Sequence, residues 1–312
     1  MLILMKANQS MLNTKRQNVR VAVIKSLRLP FLILTPVNAF LAYSVVVSSG
    51  SPINLIWMSL ALLGALMAHI SVNTFNEFFD FDSGLDLKTH KTPFSGGSGA
   101  LPQVPDAKNT VLMVAIISFL ITVFIGVYFI VEHGLGILPI GLLGLLLITL
   151  YTRQLNRYPW LCLMAPGLGF GFLFVVGIQF VLVGEYQLLA WYVAIIPFCL
   201  STNLLLLNQY PDIDADITVG RRHFPIAYGV KRSNGLYAFF MVLPIVVVIS
   251  YVLVGLLPLS SLYCLLVLPL SFFAWLGAVK YGKDIGQHSQ YLASNVAVAI
   301  LMPIILAASI IY

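Results

Sequence analysis

Two stretches of the chain combine asparagine and aspartate at regular spacing behind long apolar runs. The first, NEFFDFDSGLD at residues 76–86, holds four of the eleven acidic residues, and the second, NQYPDIDADITVGRR at residues 208–222, holds three more. Positions four residues apart lie on one face of a helix, so each stretch would present its polar side chains together. The residues at this spacing are Asn76 and Asp80 in the first stretch and Asn208, Asp212 and Asp216 in the second.

This pattern is typical of a magnesium site. Clustered carboxylates repel one another unless a cation joins them. Oxygen ligands without histidine or cysteine suit Mg²⁺, which commonly combines one or two carboxylates with the phosphates of a substrate. Two such stretches that face each other could hold a diphosphate through bridging Mg²⁺ ions. The alternative, that these acids solvate loops and cap helices, is less favoured because two Asn-led copies occur at equivalent helix ends.

The composition places these stretches in a membrane protein. The chain has 312 residues, of which 60% are hydrophobic and 9% are charged, and the mean hydropathy is +0.96. These values lie far outside the range of soluble domains. A helix needs about 20 mostly apolar residues to cross a bilayer, and only helices satisfy the backbone of such runs internally. We therefore predict an all-α membrane bundle with nine transmembrane helices, at about 27–48, 53–77, 110–131, 134–151, 162–184, 188–208, 236–256, 259–280 and 290–311.

The basic residues predict the orientation of this bundle. All 17 lysines and arginines fall in the N-terminal arm or in the loops after the second, fourth, sixth and eighth runs. Such an excess marks the cytoplasmic side, so the N-terminus and both acidic stretches should be cytoplasmic. The net charge of +6 therefore has a topological cause, and we expect no nucleic-acid partner. We divide the chain into a polar basic arm at 1–26 and a single transmembrane domain at 27–312.

The two acidic stretches resemble the paired aspartate-rich motifs of the UbiA-type intramembrane prenyltransferase superfamily, which has nine transmembrane helices and carries its motifs after helices two and six. YTRQLNR at 151–157, PGLGFGFLFVVG at 166–177 and GRRHFPIAYG at 220–229 are similar to segments of the branch that prenylates dihydroxynaphthoate, including the menaquinone enzymes. Two positions depart from the pattern: Glu77 stands where the family usually has aspartate, and Phe170 where an acid usually follows GLG.

The resemblance implies roles for individual residues. Asp82 and Asp214 fall between the matched positions, so we expect them in a second shell or in solvent. Six residues match the magnesium ligands of the family: Asn76, Asp80, Asp86, Asn208, Asp212 and Asp216. Three of them, Asp80, Asp212 and Asp216, would also be catalytic. Basic residues near the motifs that could hold diphosphate are Arg28, Lys88, Lys91, Arg221 and Arg222. The predicted substrate-pocket residues are His69, Asn73, Tyr151 and Arg153.

The implied reaction is Mg²⁺-dependent transfer of a polyprenyl group from a polyprenyl diphosphate to an aromatic acceptor, favoured as 1,4-dihydroxy-2-naphthoate, at an inner membrane. Hydroxybenzoate, porphyrin or glycerol phosphate acceptors of sister branches stay open. Four aromatic residues near the motifs could face the allylic cation, although aromatic residues at the lipid interface are the commoner case: Phe75, Phe78, Phe79 and Tyr210. A cation-coupled transporter would place its acids near the midplane, which the one-sided distribution disfavours.

Overall fold

The computed structural model describes the backbone of residues 2–312 and the side chains of residues 14–312. Within this part of the chain every regular element is a helix, so the prediction of an all-α protein is confirmed. The α-helices are α1 (Leu2–Ser26), α2 (Leu29–Leu32), α3 (Leu34–Ser48), α4 (Leu55–Asp82), α5 (Ala100–Gln103), α6 (Lys108–His133), α7 (Leu138–Leu150), α8 (Pro159–Gly167), α9 (Gly177–Val183), α10 (Leu188–Asn208), α11 (Ile213–Ile217), α12 (Phe224–Tyr228), α13 (Val230–Leu253), α14 (Leu268–Tyr281) and α15 (Ser289–Ile311). Short 3₁₀ segments and one π-helix, Leu168–Val176, connect or extend them.

The described helices are those of a multi-pass integral membrane protein. Eight helical segments are long and apolar enough to cross a bilayer, and Leu135–Leu150 is a shorter apolar helix. The count of nine spans and the cytoplasmic N-terminus stay predictions. The division at residue 26 also stays a prediction, although the first candidate span, Thr14–Ser48, includes part of the predicted arm.

Helix packing brings the two acidic stretches to the same end of the bundle. α4 packs along α6, α3 packs along α15, and α10 is held between α8, the π-helix and α13. α10 lies deep in the core, with Val193, Ile196 and Leu206 fully buried. The close approach of the π-helix to α10 requires glycine at 171, because a Cβ there would lie 2.7 Å from the carbonyl oxygen of Ala194.

The two stretches differ in local structure. α4 continues through the first one to Asp82, and Gly84, with φ 77°, ends the turn that follows. α10 ends at Asn208, and Pro211 precedes the short helix α11. Proline cannot donate a helical hydrogen bond and disfavours helix in the residue before it. The expectation that the second stretch lines one face of one helix is therefore wrong.

Candidate active site

A cavity of about 610 Å³ lies where α4 and α10 end, and both acidic stretches contribute to its wall. Its polar end holds the asparagines, aspartates and basic side chains, and its other end is apolar. Twelve of the fifteen predicted site residues line it, although they come from elements far apart in the chain. These are Arg28, His69, Asn73, Asn76, Asp80, Asp86, Lys91, Tyr151, Asn208, Asp212, Asp216 and Arg221.

The structure places the other three predicted residues outside the cavity wall. The Lys88 ammonium donates to the Thr218 hydroxyl at 3.4 Å. The Arg153 guanidinium lies 5.3 Å from the centre of the Phe79 ring. Arg222 is exposed. Their predicted roles stay predictions that no contact with the cavity supports.

In the first stretch, hydrogen bonds hold the polar side chains in place. The amide nitrogen of Asn76 donates to Asp80 Oδ2 at 2.9 Å and to the Thr152 hydroxyl at 3.3 Å. Its amide oxygen accepts from Arg28 at 2.8 Å. Asn73 donates to the carbonyl oxygen of Leu27 at 3.0 Å, next to Arg28. Asn76 and Asp80 are therefore oriented by the protein itself.

Arg28 reaches this stretch through an uncommon backbone conformation. Its φ of 54° and ψ of 50° lie in the left-handed region, between the end of α1 and the start of α2 at Leu29. This conformation costs on the order of 1–3 kcal/mol for a residue other than glycine. The hydrogen bond to Asn76 and the neighbouring Asn73 contact offset that cost and direct the guanidinium into the cavity.

Arg221 joins the two stretches. Its guanidinium forms an ion pair with Asp80 of the first and, at 3.2 Å, with Asp216 of the second. The backbone turns back after α11, with Gly220 at φ 76° and the Arg221 N–H bonded to the Asp216 carbonyl oxygen at 3.1 Å. Burial alone would lower the pKa of Arg221, but the carboxylates of Asp80 and Asp216 together raise its pKa above the ordinary value.

His223 was not among the predicted site residues, yet it contacts the second stretch. It is buried, lines the cavity, and places Nε2 3.0 Å from Asp216 Oδ2. The two atoms are within ion-pair distance, while neither ring nitrogen meets the geometry of a hydrogen bond. Its position directly after the Arg221–Arg222 pair was the one available signal in the sequence.

Three predicted ligands carry buried oxygens that lack a hydrogen-bond donor among the described residues: Asp86 Oδ2, Asn208 Oδ1 and Asp212 Oδ1. Buried polar atoms are nearly always satisfied, so such oxygens require an explanation. Burial, and then the charge of Glu77, raises the pKa of Asp86 to about 8. Burial, and then the charge of Asp216, raises the pKa of Asp212 to about 7. A cation at these oxygens would relieve both the unmet hydrogen bonding and the crowding of negative charge.

The donor set fits magnesium that is shared with a ligand. Among the side chains that the structure describes, no three or more His, Cys, Asp or Glu residues converge on a common point. Mg²⁺ does not need such a cluster, since it commonly takes one or two carboxylates and completes its shell with phosphate oxygens and water. The unpartnered oxygens of Asp86, Asn208 and Asp212 are the ones that would hold it.

A glycine-rich segment covers part of the polar end. Gly96 donates its N–H to Asp212 Oδ2 at 3.1 Å, and the Lys91 ammonium donates to the carbonyl oxygen of Ser98. Gly96 and Gly97 have φ of 77° and 70°, a region that side chains with a Cβ rarely adopt. The segment therefore presents backbone N–H groups to the motif carboxylates in a conformation that requires glycine.

The apolar end of the cavity lies deeper in the bundle. His69 Nδ1 is 2.9 Å from the Thr35 hydroxyl, and both side chains are buried. The Phe170 ring packs edge-on against His69 at 4.8 Å, so the position at which the family usually has an acid is part of an apolar wall. Three further aromatic residues that were not predicted also line the cavity: Phe31, Phe94 and Phe174.

The aromatic residues predicted to face an allylic cation lie elsewhere. Phe75, Phe78 and Phe79 pack against one another outside the cavity wall. Tyr210 is fully buried and donates to Asn234 at 2.7 Å. None of the four lines the cavity, so no contact with it supports this interpretation over the alternative of aromatic residues at the lipid interface.

Two acids that fall between the matched motif positions, Asp82 and Asp214, face outward. Asp82 pairs with Lys108, and Asp214 pairs with Lys283 at 2.8 Å. Both aspartate side chains are more than half exposed, which agrees with the expectation that they are not ligands.

Comparisons with known proteins relate this architecture to one family. A model of the UbiA prenyltransferase family matches residues 37–312. A 1,4-dihydroxy-2-naphthoate octaprenyltransferase from Bacillus subtilis (strain 168) is 27% identical over 197 residues, which are 62% of this chain and 62% of that protein. The match thus spans less than two thirds of the relative's length.

Solved structures share the fold. The apo structure of a UbiA homologue from Aeropyrum pernix K1 is 18% identical, with a TM-score of 0.66 over 90% of this chain and 97% of that chain. A UbiA homologue from Archaeoglobus fulgidus bound to DMAPP and Mg²⁺ is 15% identical, with a TM-score of 0.59 over 89% of this chain and 99% of that chain.

Proposed function

The chain belongs to the UbiA prenyltransferase family, and on that premise we propose that it transfers a polyprenyl group from a polyprenyl diphosphate to an aromatic acceptor. The observation that carries the proposal is the convergence of both acidic motifs, with Arg28 and Arg221, on one cavity that is polar at one end and apolar at the other. We propose 1,4-dihydroxy-2-naphthoate as the acceptor, which the similarity to the Bacillus subtilis enzyme favours.

The polar end suits a diphosphate. Arg28, Lys91 and Arg221 bring three positive charges to the cavity wall, and arginine offers a planar fork that matches phosphate oxygens. Asp86, Asn208 and Asp212 would hold Mg²⁺ with their unpartnered oxygens. Bound there, Mg²⁺ would supply Lewis-acid stabilisation of charge on the leaving diphosphate.

The reaction breaks the bond between the allylic carbon and the diphosphate oxygen, and the electron pair leaves with that oxygen. Arg28 and Arg221 stabilise the negative charge that develops there. A ring carbon of the acceptor forms the new bond to the allylic carbon. The ring regains aromaticity when that carbon loses its proton or, if it bears the carboxylate, carbon dioxide, and in either case the bonding electrons return to the ring. The apolar wall around Phe170 and Phe174 excludes water, which would otherwise react with the allylic cation that is left when the diphosphate departs.

The test is an acceptor screen with purified protein in nanodiscs. Radiolabelled polyprenyl diphosphate is offered with 1,4-dihydroxy-2-naphthoate, 4-hydroxybenzoate, a porphyrin or glycerol phosphate, with Mg²⁺ or with EDTA, and products are identified by mass spectrometry. We expect a prenylated naphthoate only with Mg²⁺. A product with another acceptor overturns the assignment of the acceptor, and no product with any acceptor overturns the proposed activity.

We also propose that the cavity opens toward the cytoplasm, because Arg28, Lys91 and Arg221 line it and basic residues concentrate on that side of membranes. The native cysteines are buried, so single introduced cysteines can be labelled from either side. Asp106→Cys and Lys231→Cys should react from the cytoplasmic side and Glu185→Cys from the other. Labelling of the first two from opposite sides contradicts the shared cavity.

A further inference from the structure

We propose that Glu77 is a positioning residue that anchors the glycine-rich segment, residues 96–99, to the first motif and thereby orients the Asp212 carboxylate of the second motif. The inference rests on the proposed function only in that the cavity is taken to be the reaction site. Glu77 lies within the first motif, between Asn76 and Asp80, yet it does not line the cavity. Its side chain is directed toward the segment instead.

The carboxylate of Glu77 is fully buried and uses both of its oxygens. Oε2 accepts the N–H of Ser98 at 3.1 Å, and Oε1 accepts the hydroxyl of Ser98. Arg28 lies 3.5 Å from Oε2. A buried carboxylate without partners is strongly unfavourable, so these contacts with Ser98 and Arg28 are what allow Glu77 to occupy this position.

Ser98 is the point at which the segment is fixed. Besides its two hydrogen bonds to Glu77, its hydroxyl oxygen accepts the N–H of Ala100 at 3.0 Å, where α5 begins. Its carbonyl oxygen accepts from Lys91. Glycines lose more conformational freedom on ordering than any other residue, so a segment with glycine at 96, 97 and 99 requires such an anchor to hold one conformation.

The fixed segment then contacts both motifs. Gly96 donates its N–H to Asp212 Oδ2 at 3.1 Å, which leaves Oδ1 of the same carboxylate without a donor. Gly97 packs so close to Asp86 that a Cβ there would lie 2.9 Å from Asp86 Oδ1. Release of Ser98 would therefore free the backbone donor that sets the orientation of Asp212.

Conservative substitutions at Glu77 separate an anchor from a magnesium ligand. In Glu77→Gln the amide oxygen still accepts the Ser98 N–H, and the amide NH₂ donates to the Ser98 hydroxyl oxygen, so both contacts survive without the charge. In Glu77→Asp the charge survives, but the carboxylate lies one methylene nearer the backbone and loses its reach. An anchor tolerates glutamine better than aspartate, whereas a metal ligand shows the reverse order.

The experiment measures hydrogen exchange by mass spectrometry across residues 92–103, in detergent and without substrate, together with KM for the prenyl diphosphate. Ser98→Ala keeps its backbone N–H bond to Glu77 and loses the hydroxyl contact, so we expect it to raise exchange and KM by about tenfold. Glu77→Asp loses both contacts with Ser98 and should raise exchange and KM at least as much. The double variant should be no worse than Glu77→Asp alone. Glu77→Gln should stay within about twofold of wild type.

Ser95→Ala is the matched control, because it makes the same chemical change in the same loop. The Ser95 hydroxyl contacts Thr92 at 2.9 Å and not Glu77, so its removal should confine any change in exchange to residues 92–95 and leave exchange at residues 96–100 as in wild type. A wild-type exchange pattern in Glu77→Asp, or a larger effect of glutamine than of aspartate, overturns the proposal. Hydrogen exchange needs no turnover, so the anchor can be tested even if the acceptor screen gives no product.

Discussion

The two acidic motifs have the same four-residue spacing but different states of hydrogen bonding. In the first, Asn76 and Asp80 lie on a continuous helix and are bonded to each other, and Arg28 donates to the Asn76 oxygen. In the second, the helix ends at Asn208, and Asn208 and Asp212 each keep a buried oxygen without a donor. The Asn76–Asp80 pair of the first motif is thus ordered by protein contacts alone. Acceptors that a cation would satisfy remain on Asp86, at the end of the first stretch, and on Asn208 and Asp212 of the second.

This difference indicates that the two motifs have different roles, although the spacing of their residues is the same. Removal of a carboxylate that is engaged by arginine destabilises the fold, because it leaves the arginine buried and unpaired. A buried carboxylate oxygen without a donor destabilises the fold, and in the proposed function a bound cation would satisfy it. Proteins commonly keep such unsatisfied polar groups at functional sites, although these groups do not favour the fold.

The largest expected effect separates Asp80 from Asp212. Asp80→Ala and Asp212→Ala should each lower kcat by about 10³-fold, since Asp80 holds Arg221 and Asp212 would hold Mg²⁺, and both cations would stabilise the charge on the departing diphosphate. Only Asp80→Ala should also lower Tm, because it removes an ion-pair partner of buried Arg221. Product formation and thermal unfolding, measured on both variants, test the comparison.

Asp106→Ala is the control for these variants, since its pair with Lys15 is exposed on both sides and such pairs contribute little. Wild-type activity in either motif variant contradicts the site. An equal loss of Tm in Asp212→Ala contradicts the difference between the motifs.

The next effect concerns the arginine that joins the motifs. Arg221→Lys should raise KM for the prenyl diphosphate, or lower kcat, by about 10- to 100-fold, because lysine cannot reproduce the forked contact with two groups. KM for the acceptor should change little. Arg232→Lys is the matched control at an exposed position and should be silent. If Arg221→Lys behaves like it, Arg28 and Lys91 become the candidates for diphosphate binding.

A smaller effect distinguishes the two asparagines. Asn208→Ala should raise the Mg²⁺ concentration that gives half-maximal activity by about tenfold, the value of one lost ligand contact. Asn76→Ala should lower kcat with a smaller change in that concentration, because Arg28 already occupies its oxygen. Titration of activity with Mg²⁺ in both variants provides the measurement, and identical shifts would mean that the motifs share the cation equally.

The last effect is a pH dependence of stability. Folding raises the pKa of Asp86 and Asp212 from 3.8 to about 8 and about 7. The folded state therefore holds protons that the unfolded state has released, and the free energy of unfolding falls as pH rises from about 4 to about 8. Asp212→Asn should flatten this fall in Tm between pH 5 and 8, since it cannot ionise. An unchanged slope in that variant contradicts the assignment of the shift to Asp212.

The sequence by itself determined the class of the protein and the position of its motifs. Long apolar runs require helices in a bilayer, and the spacing of polar residues within a run is a local property that tertiary packing does not alter. The asparagines and aspartates of both stretches were therefore identified without a structure. Twelve of the fifteen residues that the sequence predicted line one cavity.

Only the tertiary structure decided which neighbours these residues have. Arg221 and Arg222 are adjacent and chemically identical, and only the turn after α11 shows that Arg221 reaches Asp80, 141 residues away in the chain. The break at Pro211 and the contact of Glu77 with Ser98 likewise depend on how separate elements pack. Such contacts depend on burial, reach and the direction of each side chain, which residue spacing along the chain does not specify.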